Sequence, residues 1–293
     1  MDWTLWILAS ATMLAVYDLL KKASVRENAV MPVLAIGTAA GAAAYIAALA
    51  AFGDIASALR PGGRVLALSL AQSLIVGTSW ILTYCALRTL PITIATPIRA
   101  SAPAVVVLAA IFLYGEAPTL VQWAGMASVF AGFAAFSWAG RAEGIDFRHS
   151  RAVGFAVGGM LMSAVSSLLD KYVFQVSGAP VEPVQFWFQV GLFAFYISII
   201  GVRRLFGVVG DRFEWRPSIP FVGVALAFAD WLYFHGLAIP DVPISVGSLM
   251  RRFSVVITFC LGAAFFRERN LRRKALALSL IVIGVAVLCL ARR

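Results

Sequence analysis

Charge is scarce in this chain. Only 13% of its 293 residues are Asp, Glu, Lys or Arg, about half the share of a soluble globular domain. Histidine is scarcer still: His149 and His235 stand alone, without metal-ligand company. The three cysteines, Cys85, Cys260 and Cys289, lie in apolar runs at no metal-binding spacing, so neither a metal site nor a disulfide framework is expected. There is no Walker loop, no His-Glu-x-x-His, no serine nucleophile elbow and no Gly-x-Gly-Asp protease signature. These absences argue against an ATP-driven pump and against an enzyme, and no cofactor is expected. Regular alternation of apolar and polar residues is lacking too, which argues against barrel strands. Met1-Asp2-Trp3 lacks the basic start of a secretory signal, so the first apolar run is expected to be retained as a span.

Apolar residues fill the space instead, at 61% of the chain and a mean hydropathy of +0.90. Ten runs, each near the length that crosses a bilayer as a helix, cover residues 3–21, 30–52, 65–87, 92–114, 119–139, 152–174, 184–202, 219–238, 242–266 and 272–291. The expected fold is all-α and integral to the membrane, with ten transmembrane helices. Connectors are short and carry turn residues, as in Arg60-Pro61-Gly62-Gly63. The longest polar break, residues 140–151, separates five runs from five. Residues 1–140 and 152–293 therefore read as two halves of one membrane domain. The formal net charge of +10 would suggest nucleic acid in a soluble protein. Here the basic residues lie between apolar runs, where they set topology and meet lipid headgroups. The expected partners are membrane lipids and a small-molecule substrate, with no nucleic acid, and the expected location is the cell membrane.

The halves resemble each other. At a shift of 152 residues, Pro91, Ile92, Thr93, Thr96, Arg99 and Glu116 fall on Pro243, Ile244, Ser245, Ser248, Arg251 and Glu268. At a shift of 149, Met13 to Lys22 falls on Met162 to Lys171. Five spans per half force the halves into opposite orientations, an inverted repeat. Ten spans in two halves, a lysine closing the first span of each half and an acid after the fourth and ninth spans resemble the drug/metabolite transporter superfamily, EamA type. That resemblance implies alternating access around a central cavity and termini in the cytoplasm. The basic residues imply the opposite orientation: by loop parity, 5 Lys and Arg lie on the side of the termini and 16 on the other, which would put the termini outside.

A few polar groups interrupt the spans. A charge at bilayer depth costs at least ~2.5–3.5 kcal/mol and usually faces a cavity, a counter-ion or a ligand. Arg99 and Arg251 occupy equivalent places in proline-interrupted spans, and Arg252 follows Arg251. This basic pair resembles that of plastid phosphate translocators. The three arginines either pair with Asp18, Asp170 and Asp230 or bind a carboxylate or phosphate. Asp18 with Lys22, and Asp170 with Lys171, read as local pairs near span ends. Asp230 reads as an arginine partner or a proton-coupling carboxylate. Ser69, Gln72, Ser73, Ser79 and Thr83 share a face of the third span, either as interhelical hydrogen bonds or as the wall of a cavity. Gln185 and Gln189 share a face of the seventh. Thr96, Trp231 and Tyr233 complete the candidate substrate-binding set. The walls are expected from the third, fourth, eighth and ninth spans with parts of the first, sixth and seventh. The fifth and tenth, nearly free of polar groups, should pack outside. Gly37-Thr38-Ala39-Ala40-Gly41 has the small-residue spacing that seats another helix, within the bundle or in a homodimer.

These features point to a secondary transporter of a small organic anion. The alternatives are an exporter of cationic or amphiphilic compounds that uses the buried acids, with Trp80, Trp187 and Trp231 as walls, and a non-transporting membrane accessory protein.

Overall fold

The computed structural model describes residues 3–53, 55–102, 105, 119–141, 149–208, 210–237, 244–265 and 271–290, with some side chains inside these segments left out. Helices dominate the described residues: α1 (Trp3–Val25), α2 (Val30–Phe52), the short α3 (Ile55–Leu59), α4 (Gly63–Thr89), α5 (Ile92–Ala100), α6 (Leu120–Arg141), α7 (Arg151–Lys171), α8 (Val181–Leu205), α9 (Ser218–Leu237), α10 (Ile244–Phe265) and α11 (Leu271–Leu290). Each of the ten apolar runs coincides with one of these helices, the fourth over Ile92–Ala100. Four described helical segments are long and apolar enough to cross a membrane: Val30–Phe52, Gly63–Thr89, Arg151–Phe174 and Val181–Leu205.

Local chemistry sets several ends. Ser150 caps α7, its hydroxyl accepting from the Val153 amide at 3.3 Å. Pro32 and Pro183 sit in the first turns of α2 and α8, where a missing amide donor costs nothing. Pro97 lies inside α5, which stops one turn later at Ala100. Beyond Lys171 the α7 helix passes into a π-turn, Tyr172–Val176.

Small residues bring the helices close. A methyl group on Gly41 of α2 would lie 2.9 Å from the Gly223 carbonyl oxygen of α9. The small-residue stretch thus seats a helix of the same chain. On α8, a methyl on Gly191 would lie 2.5 Å from Ser73 Oγ of α4. Gly41 and Gly191, like Ser73 and Gly223, stand 150 residues apart. The pattern recurs. Ser10 donates to the Ala229 carbonyl at 2.6 Å, and Ser79 donates to the Gly159 carbonyl at 2.8 Å. Gly132 abuts Ile281 and the Ala277 carbonyl, while Gly284 abuts Val129 and the Gly125 carbonyl, each position 152 from its counterpart. Helix neighbours obey the same exchange: α1 on α9 and α7 on α4; α2 on α9 and α8 on α4; α1 on α10 and α7 on α5. The α6–α11 pair stands to one side, contacting the rest mainly through α5 and α10.

The loops sort by parity. Asn28 bonds the backbone of Glu214, Arg216 donates to the carbonyls of Ala23 and Arg26, and Arg88 pairs with Asp211 at 2.6 Å. All lie on the basic side of the parity count. Contacts on the other side are Arg64 with Tyr172 and Trp187 with the Ala58 carbonyl.

Candidate substrate and charge-pairing site

Two charge clusters occupy the interior. The first is built on α1. Asp18 is fully buried and accepts from Lys21 Nζ, one turn on, at 2.6 Å, and from Arg99 of α5 at 2.6 Å. Lys21 Nζ also lies 4.4 Å from the Tyr17 ring centre and 5.7 Å from that of Tyr84, positions that favour a cation. The second cluster joins Arg251 of α10 to Asp230 of α9, with the guanidinium 4.1 Å from the Tyr233 ring centre.

Lys22 takes a separate role. Its ammonium donates at 2.6 Å to the carbonyls of Leu87 and Leu90. These lie in the last turn and at the cap of α4, where helix carbonyls lack intrahelical partners and the dipole favours a cation. The expected Asp18–Lys22 pair is therefore replaced: three residues along α1 place Lys21 beside Asp18, and Lys22 turns to α4. Asp170 accepts from Gln72 Nε2 of α4, a partner the sequence had not suggested. The Lys171 side chain lies outside the described residues, as do those of Thr96 and Arg252.

The hydroxyls of the third run are occupied by backbone. Ser69 donates to the Val65 carbonyl, Ser73 to those of Ser69 and Phe188, Ser79 to Gly159 and Thr83 to Ser79. Ser79 thus serves helix contact. Gln185 donates weakly, at 3.5 Å, to the Ala227 carbonyl. Trp231 packs on Trp6, Phe228 and His235. Gln189 lines a small central cleft together with Tyr17, Thr38, Trp80, Tyr84 and Leu226. The cleft has room for roughly one water molecule. Its wall includes α2, which the sequence had not offered because that helix carries almost nothing polar besides Thr38. Lys21, Tyr17 and Tyr84 were likewise passed over. The signal available for them was their spacing, since Tyr17 and Lys21 stand four apart on α1 and Lys21 three from Asp18.

Some buried polar atoms have no hydrogen-bond partner among the described residues: Gln72 Oε1, Gln185 Oε1, Arg251 Nε and Thr258 Oγ1. Leaving such an atom unmatched in a dry interior costs about 1–3 kcal/mol. Two of the four, Arg251 Nε and Thr258 Oγ1, lie on α10, a helix that carries one of the charge clusters. No group of three or more potential metal ligands occurs among the described residues.

Residues 1–138 match the family model of the EamA-like transporter family. Over these residues the chain is assigned to the EamA type of the drug/metabolite transporter superfamily. It is therefore an integral membrane protein of a transporter family. The match ends near the polar break at residue 140. A solved crystal structure resembles this EamA-type chain along its whole length, covering 99% of it and 98% of its own chain, with a TM-score of 0.67 at 23% identity. That likeness is one of fold. Comparison with curated proteins finds no match.

Proposed function

We propose that the chain is a secondary-active transporter of a small organic anion, a carboxylate or phosphate, built from ten spans in two inverted halves in the cell membrane. The exchange of contacts at offsets of 149 to 152 residues supports the repeat, and the parity of the loop contacts supports ten crossings. Swapping the two halves' conformations would open the centre to one side and then the other. The anion preference rests chiefly on Arg251. Its Nε is a buried N–H donor that its partner Asp230 does not meet, and an anionic oxygen would meet it with a charge-assisted bond. The interior also holds the cations Lys21, Lys22, Arg99 and Arg251 against the acids Asp18, Asp170 and Asp230. Gln185 and the cleft residue Gln189 would supply further polar contacts.

A second reading has its own support. Tyr17, Trp80 and Tyr84 give the cleft aromatic walls, which suit an amphiphilic or cationic compound. Counterflow in proteoliposomes separates the two. Vesicles holding the purified protein are loaded with an unlabelled compound and offered its labelled form, across a panel of carboxylates, phosphates and organic cations. Saturable exchange of anions is expected. Exchange confined to cations would favour the second reading, and exchange of no panel member would leave the accessory role standing.

A further inference from the structure

Among the acids Asp18, Asp170 and Asp230, Asp170 is held differently. Asp18 has two cations and Asp230 has one, whereas the described partner of Asp170 is the neutral amide of Gln72. Gln72 is only 5% exposed. It gives its N–H to one carboxylate oxygen while its own oxygen, Oε1, stays unmatched. A carboxylic acid would complete this arrangement. Protonated on its other oxygen, Asp170 could donate O–H to Gln72 Oε1 while accepting from Gln72 Nε2, closing a cyclic acid–amide pair with two hydrogen bonds. The ionised form satisfies one amide group and strands the other; the protonated form satisfies both.

We infer that Asp170 and Gln72 form the proton-binding pair of the transport cycle, a reading that rests on the chain being a secondary transporter. The half-buried carboxyl takes its proton from water. It lies where α7 passes into the π-turn, on the face that carries Arg64 and Tyr172, so protons enter from the side of the chain termini. Among the described side chains, which exclude that of Lys171, the other charges near it are engaged elsewhere. On α4, Arg64 bonds Tyr172 and Arg88 pairs with Asp211; on α5, Arg99 pairs with Asp18; across the interior, Asp230 and Arg251 pair with each other.

Asp170→Asn mimics the protonated form and can keep both hydrogen bonds to Gln72, so it is expected to fold. Infrared difference spectra of the purified protein between high and low pH should show the carbonyl stretch of one protonated carboxyl. That band should vanish in Asp170→Asn and shift in Gln72→Leu, which removes the amide. In proteoliposomes, a gradient of about one pH unit should concentrate a transported panel compound about tenfold per coupled proton. Asp170→Asn should abolish that accumulation yet retain counterflow. Persistence of the band in Asp170→Asn, or undiminished gradient-driven accumulation by it, would overturn the inference. An Asp170-dependent band in a protein that exchanges no panel compound would instead overturn the transport reading and leave the proton pair intact.

Discussion

Regions of the chain that stand 149 to 152 residues apart are alike in several packing contacts and unlike in their charges. Gly41 meets Gly223 where Gly191 meets Ser73, and Gly132 and Gly284 serve each other's helices alike. The central charges break that equivalence. Arg99 goes back to α1 and pairs with Asp18, while Arg251 goes to α9 and pairs with Asp230. The counterpart of Asp18 at an offset of 149 is Ser167, that of Asp230 at 150 is Trp80, and that of Lys21 at 149 is Asp170. Similar helix contacts therefore accompany dissimilar charges. Close helix contact depends on side-chain size, and small residues at both copies preserve it.

The sharpest way to break the comparison is to neutralise each arginine. Arg251→Gln leaves Asp230 without its described counter-ion and should cost ~3–5 kcal/mol of stability. Arg99→Gln leaves Asp18 still bonded to Lys21 at 2.6 Å and should cost only ~1.5–3 kcal/mol, the worth of one charge-assisted hydrogen bond. Equilibrium unfolding in detergent measures both, and equal losses would mean that the two arginines are as equivalent as their positions. A smaller effect sharpens the symmetric side. Gly132→Ala and Gly284→Ala each force a methyl group against a facing backbone, within 2.9 Å of the Ala277 oxygen and 2.6 Å of the Gly125 oxygen. Each should lose ~1–3 kcal/mol, and the two losses should agree. A marked inequality, read by the same unfolding measurement, would show that the α6–α11 seam is not used equally from both sides.

Much of this frame was legible in the sequence. Run lengths near that of a bilayer span located the long described helices, though not the short α3, because apolar runs of this length have few other uses. The offset that relates Arg99 to Arg251 reappears in the contacts of Gly132 and Gly284. The Arg251–Asp230 pair was in reach because a buried acid near a buried arginine rarely stays apart. Partner choice was harder. Periodicity assigns Lys21 and Lys22 to a helix end but not to a depth, and the spacing of Asp18 and Lys22 suggested a local pair there. Their burial follows from α4 and α5, whose carbonyls and arginine meet them from far along the chain. Gln72 and Asp170 stand 98 residues apart, and no local pattern joins them. The role of α2 in the cleft was invisible for the opposite reason: its contribution is space, left by Gly37 beside Thr38.

The central claim is that Arg251 holds the substrate as well as Asp230. Its direct test is counterflow by the double variant Arg251→Gln/Asp230→Asn, which removes both charges and strands neither. The protein should regain most of the stability lost in Arg251→Gln, because no unpaired charge remains. Anion exchange should nonetheless fall roughly ten- to a hundredfold, the loss of one charge-assisted bond to the ligand. A double variant that recovers its stability and exchanges anions as the native protein does would show that Arg251 serves only its ion pair, and the account would be wrong.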